Sequence, residues 1–131
     1  MERILCEVDG SPASSEVVRA AIAYCAEHGA ELDLVGVINE GAFDPPQPAV
    51  GERIRRFRSV EYQLAQAMRA AQEAAVPLVE VAYRVGDPTE EALREARATG
   101  AARVFLGRAH TRLAALLFRH PRIEVEERAL P

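Results

Sequence analysis

Two carboxylates, Glu7 and Asp9, are separated only by Val8 in the run Ile4-Leu5-Cys6-Glu7-Val8-Asp9-Gly10-Ser11-Pro12-Ala13-Ser14, so strand alternation points both to one side. Such a pair could act as general acid and base or hold a metal, but no third ligand or nucleophile stands at a matching spacing. An unpaired buried carboxylate is costly, so Glu7 must find an arginine, with Arg84 and Arg108 as candidates, be protonated, or reach water in the cleft. The turn after the carboxylates offers different chemistry. Asp9-Gly10 is turn sequence, Ser11 is placed to cap with its side-chain oxygen, and Pro12 suits the first helical position. A helix starting there aims unbonded N–H groups past the strand end, which is where α/β folds hold anions. Capping also accounts for Ser11, Ser14 and Ser15 better than nucleophilic attack does.

Other chemistry-bearing residues are less informative. His28, His110 and His120 lack metal-ligand spacing, and His28 closes a helix together with Gly29. Cys6 and Cys25 fall on apolar positions of a strand and a helix, as small core residues of a reducing compartment. All sixteen basic residues are arginine, which discounts any single arginine cluster as a site. Arg53, Arg55, Arg56 and Arg58 therefore read as a solvated helix face rather than an anion site. No Walker loop or nucleophile elbow occurs.

The elements that must carry these residues alternate in type. A first strand, Ile4 to Val8, leads to a helix with Val18, Ala21, Ile22 and Cys25 on one face. A second strand spans Glu31 to Ile38, and a proline-bearing loop runs from Asn39 to Val50. A long helix from about Gly51 to Ala75 carries Ile54, Phe57, Val60, Leu64 and Met68 at spacings of three and four. Pro77 stops it before a third strand, Leu78 to Val85. Gly86-Asp87-Pro88 is a turn, a helix runs from Thr89 to Gly100, and Arg103 to Leu106 is a short strand stopping at Gly107. Thr111 to Phe118 reads as a further helix, and Ile123 to Glu127 as an edge strand. Strands alternating with helices predict one α/β domain over 1–131, a parallel sheet with helices on both faces.

Composition narrows the function. The 131 residues carry a net charge of −4, which argues against a general nucleic-acid binder, and no apolar run is long enough to span a bilayer. The start, Met1-Glu2-Arg3, leads straight into the first strand without a signal peptide, so a cytoplasmic protein is expected.

In order and spacing the chain resembles the universal stress proteins. The resemblance rests on Ile4-Leu5 leading to Val8-Asp9-Gly10-Ser11 with Ser14, on Val35-Gly36-Val37-Ile38, on Gly86-Asp87-Pro88, and on Gly100-Ala101 before Val104-Phe105-Leu106-Gly107. It implies a Rossmann-like, five-stranded parallel sheet of order 3-2-1-4-5, a homodimer, and a role in surviving stress. Many members bind ATP or another adenine nucleotide such as AMP. By that resemblance Val8, Asp9 and Val37 would approach the nucleoside, and Gly10, Ser11, Leu106, Gly107 and Arg108 would border it. The expected dimer surface is the last strand, at Ile123 and Val125, because an antiparallel partner would cover its edge.

One part of the family pattern is missing. The family seats a triphosphate on Gly-x-x-Gly followed further on by Gly-Ser or Gly-Thr. Gly107 matches the first glycine, but His110 stands at the second and His120-Pro121 at the closing pair. Glycine is needed there because a side chain blocks backbone approach and penalises positive φ, and Pro121 has no N–H to give. The expectation is a non-catalytic stress protein without ordinary ATP binding. Alternatives are an adenine-nucleotide sensor with a reworked phosphate site, in which Arg108, His110, Arg112, Arg119, His120 and Arg122 would face the phosphate, and a nucleotide-cleaving enzyme of related fold.

Overall fold

The computed structural model describes residues 1–39 and 50–107 in full and residues 124–128 as backbone. The elements are β1 (Arg3–Val8), α1 (Pro12–His28), β2 (Glu31–Ile38), α2 (Val50–Glu73), β3 (Leu78–Val85), α3 (Pro88–Thr99), β4 (Arg103–Gly107) and β5 (Glu124–Arg128). The sheet is parallel throughout, in the order β3-β2-β1-β4 with β5 beside β4. Ile123 and the helix expected over Thr111 to Phe118 lie outside the described residues.

Burial on both faces explains the near-continuous apolar runs of β1 and β2, as expected for a parallel sheet under helices. Ile4, Cys6 and Val8 pack with α1 and α2 in one core, while Leu5, Val35, Val37, Val104 and Leu106 pack with Ala92 and Ala96 of α3 in the other. The long helix is corrected in detail. Its buried stripe is Val60, Leu64, Ala67 and Ala71, whereas Ile54, Phe57 and Met68 are exposed. Small alanines let α2 lie close to the sheet, and Gly36 marks a close approach. A Cβ there would stand 2.7 Å from both Leu64 Cδ1 and Val60 Cγ1.

Helix ends follow their sequence signals. Gly29 and Gly100 take left-handed conformations just past α1 and α3. Asp87 caps α3, its side chain accepting from Glu90 N at 2.9 Å. His28 stacks on Tyr24 with ring centroids 4.1 Å apart, and its Nδ1 lies 3.0 Å from the Tyr24 carbonyl oxygen.

At the amino edge of the sheet, Arg3 donates to buried Asp33 at 2.6 and 3.1 Å. A charge so enclosed is tolerated because it is bidentately paired.

Candidate functional site

The site grows from the register. β1 lies between β2 and β4, with Val8 opposite Gly36 and Cys6 opposite Phe105. Continuing both registers sets Asp9 opposite Val37 and Val8 opposite Gly107 at the carboxyl edge. The chain moves outward from β1 to β2 and β3, then crosses back over to β4 on the other side of β1. That reversal opens the crevice in which open α/β sheets bind ligands.

Of the residues expected there, Val8, Asp9, Gly10, Ser11, Val37, Leu106 and Gly107 all fall at this edge, and Arg108 lies outside the described residues. Their roles differ. Val8, Val37 and Leu106 are wholly buried, Val8 in the core beneath α1 and α2, and Val37 and Leu106 in the core beneath α3.

The turn itself is closed on its own side chains. Ser11 stands at the N-cap, but its hydroxyl does not cap. It donates to Asp9 Oδ1 at 2.5 Å, and Ser11 N donates to the same oxygen at 2.9 Å. The expected cap is therefore corrected: the hydroxyl donates to the neighbouring carboxylate, which turns its oxygen away from the helix amides. Ser14, buried on α1, accepts from Asp9 N at 2.9 Å. Gly10 holds φ at 86°, which glycine adopts freely, and a Cβ on it would stand 3.2 Å from Ser59 Cβ.

Gln63 was not foreseen. From α2 its Oε1 accepts from Gly10 N at 2.9 Å and its Nε2 donates to the Ser11 carbonyl at 2.6 Å. One primary amide thus satisfies both a donor and an acceptor of the turn. Nothing in the spacing of a single glutamine on an exposed-looking helix marks it for that role; only the packing of α2 against Gly36 brings it there. Next to it, Asp9, Gly10 and Ser11 line a cavity of about 270 Å³ with Glu52, Arg55, Arg56 and Ser59. Glu52 pairs with Arg55 at 2.6 Å and with Arg56 at 3.7 Å, and those guanidinium groups lower its pKa.

Arg84, one of the two candidate partners of Glu7, does not meet it. Glu7 is buried on the central strand, whereas Arg84 sits on β3 with β2 between them. Arg84 instead reaches Glu91 at 3.4 Å and Glu95 at 3.3 Å on α3. Arg108, the other candidate, lies outside the described residues, as do His110, Arg112, Arg119, His120 and Arg122.

Both cysteines are free and buried. Burial raises the Cys6 thiol well above its usual range, reinforced by the Glu7 charge, and burial raises Cys25 to about 11. Thiols held protonated are poor nucleophiles. A thiol-reactive disulfide reagent at mild alkaline pH is expected to label neither cysteine in the native chain and both after denaturation. Native labelling of either one would remove them from the core. Because the folded pKa values are raised, stability should be level below the unfolded thiol pKa near 9 and decline as pH rises toward about 11.

Among the described residues no group of His, Cys, Asp or Glu is arranged to hold a metal, and no helix is long and apolar enough to cross a membrane.

Comparison with known proteins agrees with this architecture. The model of the Universal stress protein family matches residues 1–120. A universal stress family protein from Burkholderia pseudomallei superposes with a TM-score of 0.73 at 27% identity, covering 97% of this chain and 95% of that one. A universal stress protein from Archaeoglobus fulgidus in complex with dAMP gives 0.66 at 17% identity, covering 97% of each chain. A universal stress protein in complex with cAMP gives 0.66 at 20% identity, covering 98% of this chain and 96% of that one. A search of the curated proteins found no match.

Proposed function

Because this chain belongs to the universal stress protein family, we propose that it serves stress survival by binding and self-association rather than turnover, and that it lacks its relatives' triphosphate mode. The observation that carries this is the state of the first turn. The N–H groups of Asp9, Gly10, Ser11 and Ser14 all donate within the chain, to Ser14 Oγ, Gln63 Oε1, Asp9 Oδ1 and the Ser11 carbonyl. With these four N–H groups already bonded within the chain, the turn has little left to offer an anion. On the other wall, the sequence puts His110 and His120-Pro121 where the glycine cradle would need hydrogen-only side chains.

Binding rather than chemistry is favoured because the hydroxyls of Ser11 and Ser14 are engaged in holding the turn and both thiols are protonated. Self-association through the last strand, at Ile123 and Val125, belongs to the same reading. The edge position of β5 beyond β4 supports it.

The cavity beside Asp9 favours a second reading, an adenine mononucleotide sensor. Its carboxylate, Asp9, suits a ribose hydroxyl or an amine donor, and Arg55 and Arg56 of α2, which also line it, suit a single phosphate. The fold neighbours bound to dAMP and cAMP show that this architecture accommodates such ligands in those proteins.

Thermal shift with ATP, AMP and cyclic AMP separates these readings. No response to ATP at about 1 mM is expected, because a ligand bound at ten times its Kd would add about 1.4 kcal/mol to apparent stability and raise Tm visibly. An ATP response of that size would overturn the main reading. A response to AMP alone, lost in Asp9→Ala, would establish the sensor. ATP hydrolysis lost in the same variant would make the chain an enzyme.

A further inference from the structure

β3 is the other edge of the sheet; its register irregularity falls at its start, between Leu78 and Glu80, and from Glu80 to Val85 it pairs regularly with β2. Among the described residues no strand lies beyond it, it contains no proline, and Val79, Tyr83 and Val85 are 47%, 47% and 58% exposed. Gly86 N donates to the Ile38 carbonyl of β2 at 3.0 Å. Alternation then turns the N–H and C=O groups of Ala82 and Arg84 toward β2, and those of Val81, Tyr83 and Val85 outward. The strand therefore presents a row of backbone donors and acceptors flanked by apolar side chains.

Its sequence is complementary to itself. We propose that β3 pairs antiparallel with β3 of a second copy about a two-fold axis through Ala82, joining the two sheets into one. In this register Glu80 of each copy stands opposite Arg84 of the other, Val81 stands opposite Tyr83, and Ala82 faces itself. Shifting by one position sets the apolar residues against the charged face, and shifting by two separates Glu80 from Arg84. Only the register centred on Ala82 aligns both the apolar residues and the charges, and it does so twice, as a two-fold contact requires.

The side chains are placed to make these contacts. Glu80 is 48% exposed and, among the described residues, its ion pair is with Arg3 at 3.5 Å. Arg84 keeps 28% of its side chain exposed, and its bonds to Glu91 and Glu95 are long, at 3.3–3.4 Å, so its guanidinium retains donors for a further carboxylate. Phe57 of α2 stacks on Tyr83 with centroids 5.5 Å apart, fixing the ring that Val81 of the second copy would cover. The contact lies at the opposite edge from β5 and does not depend on it. If both edges pair, copies extend into an array rather than a closed dimer.

Light scattering coupled to size exclusion tests this on the full chain. The native mass is expected to exceed that of a monomer. Glu80→Arg sets arginine opposite arginine twice and should raise the dissociation constant about ten-fold or more. Arg84→Glu sets glutamate opposite glutamate and should do the same. Mixing the two variants restores both pairs, so the mixture should regain the native mass while each alone does not. Arg84→Glu also removes the ion pairs to Glu91 and Glu95 and could unfold the chain, so Ala82→Cys provides an independent readout. In this register the two Ala82 Cα atoms are about 4.5 Å apart, within disulfide range. Mild oxidation should therefore yield a reducible covalent dimer. A monomeric native chain, a native mass indifferent to Glu80→Arg, or no cross-link through Cys at position 82 would each overturn the proposal.

Discussion

Phe105→Ala is expected to lower stability by about 3–5 kcal/mol, the loss typical of a large ring deleted from a core that cannot close over the space. Phe105 heads the largest fully buried side chains of the chain. It sits on β4 beside Cys6 of β1, so it fills the sheet face under the carboxyl half of α1. Its ring meets Tyr24 at 5.8 Å, tilted by 57°. Tyr24 is in turn held from several sides: His28 stacks on it, the Arg103 guanidinium lies 4.6 Å over its ring, and its hydroxyl donates to Glu2 at 2.8 Å. Because those partners fix Tyr24, it cannot swing in to fill the hole. Urea unfolding should show a lower midpoint with an unchanged slope, and Phe105→Leu should cost less than about 1.5 kcal/mol. A Phe105→Ala loss below about 1 kcal/mol would mean that α1 settles onto the sheet and that the Tyr24 cluster is not rigid.

The same strand shows what the residues made legible and what they did not. The near-continuous apolar runs of β1, β2 and β4, together with Gly29 and Gly100 past α1 and α3 and Pro77 past α2, were enough to place the parallel layers. Turn sequence at Asp9-Gly10-Ser11 was enough to place the crevice. The side-chain connections inside the crevice were not legible, because they depend on which helix face meets the sheet and not on local pattern. Ile54, Phe57 and Met68 fit a helical stripe as well as Ala67 and Ala71 do, and hydrophobicity alone favours the larger residues. The structure buries the alanines, since a helix pressed against a glycine has room only for small side chains. Gln63 and the true partners of Arg84 follow from that packing and were invisible without it. Ser11 was read correctly as to position and wrongly as to bond, because its hydroxyl donates to a carboxylate two residues before it, which turns its oxygen away from the helix amides.

Gly36→Val should destabilise the chain by about 1–3 kcal/mol or more, and its effect should spread from the core into the crevice. Backbone conformation is not the reason. Gly36 carries no positive φ, and valine is a better strand former than glycine, so without the contact the substitution would stabilise by up to about 1 kcal/mol. The contact decides the sign. A Cβ at 2.7 Å from Val60 Cγ1 and Leu64 Cδ1 is closer than carbon atoms tolerate, and both neighbours are themselves buried, so α2 must shift outward. Gln63 precedes Leu64 and is carried with it, stretching the bonds that close on Gly10 N and the Ser11 carbonyl. Amide exchange at Gly10 should therefore speed up in Gly36→Ala, the gentler variant, more than at Ala30, whose N–H bonds back to Cys25 within its own helix end. Equal acceleration at both positions would indicate general loosening. A stabilised Gly36→Ala would show that α2 yields without cost, and then the Gln63 clamp could not be what keeps the first turn's amides from an incoming phosphate.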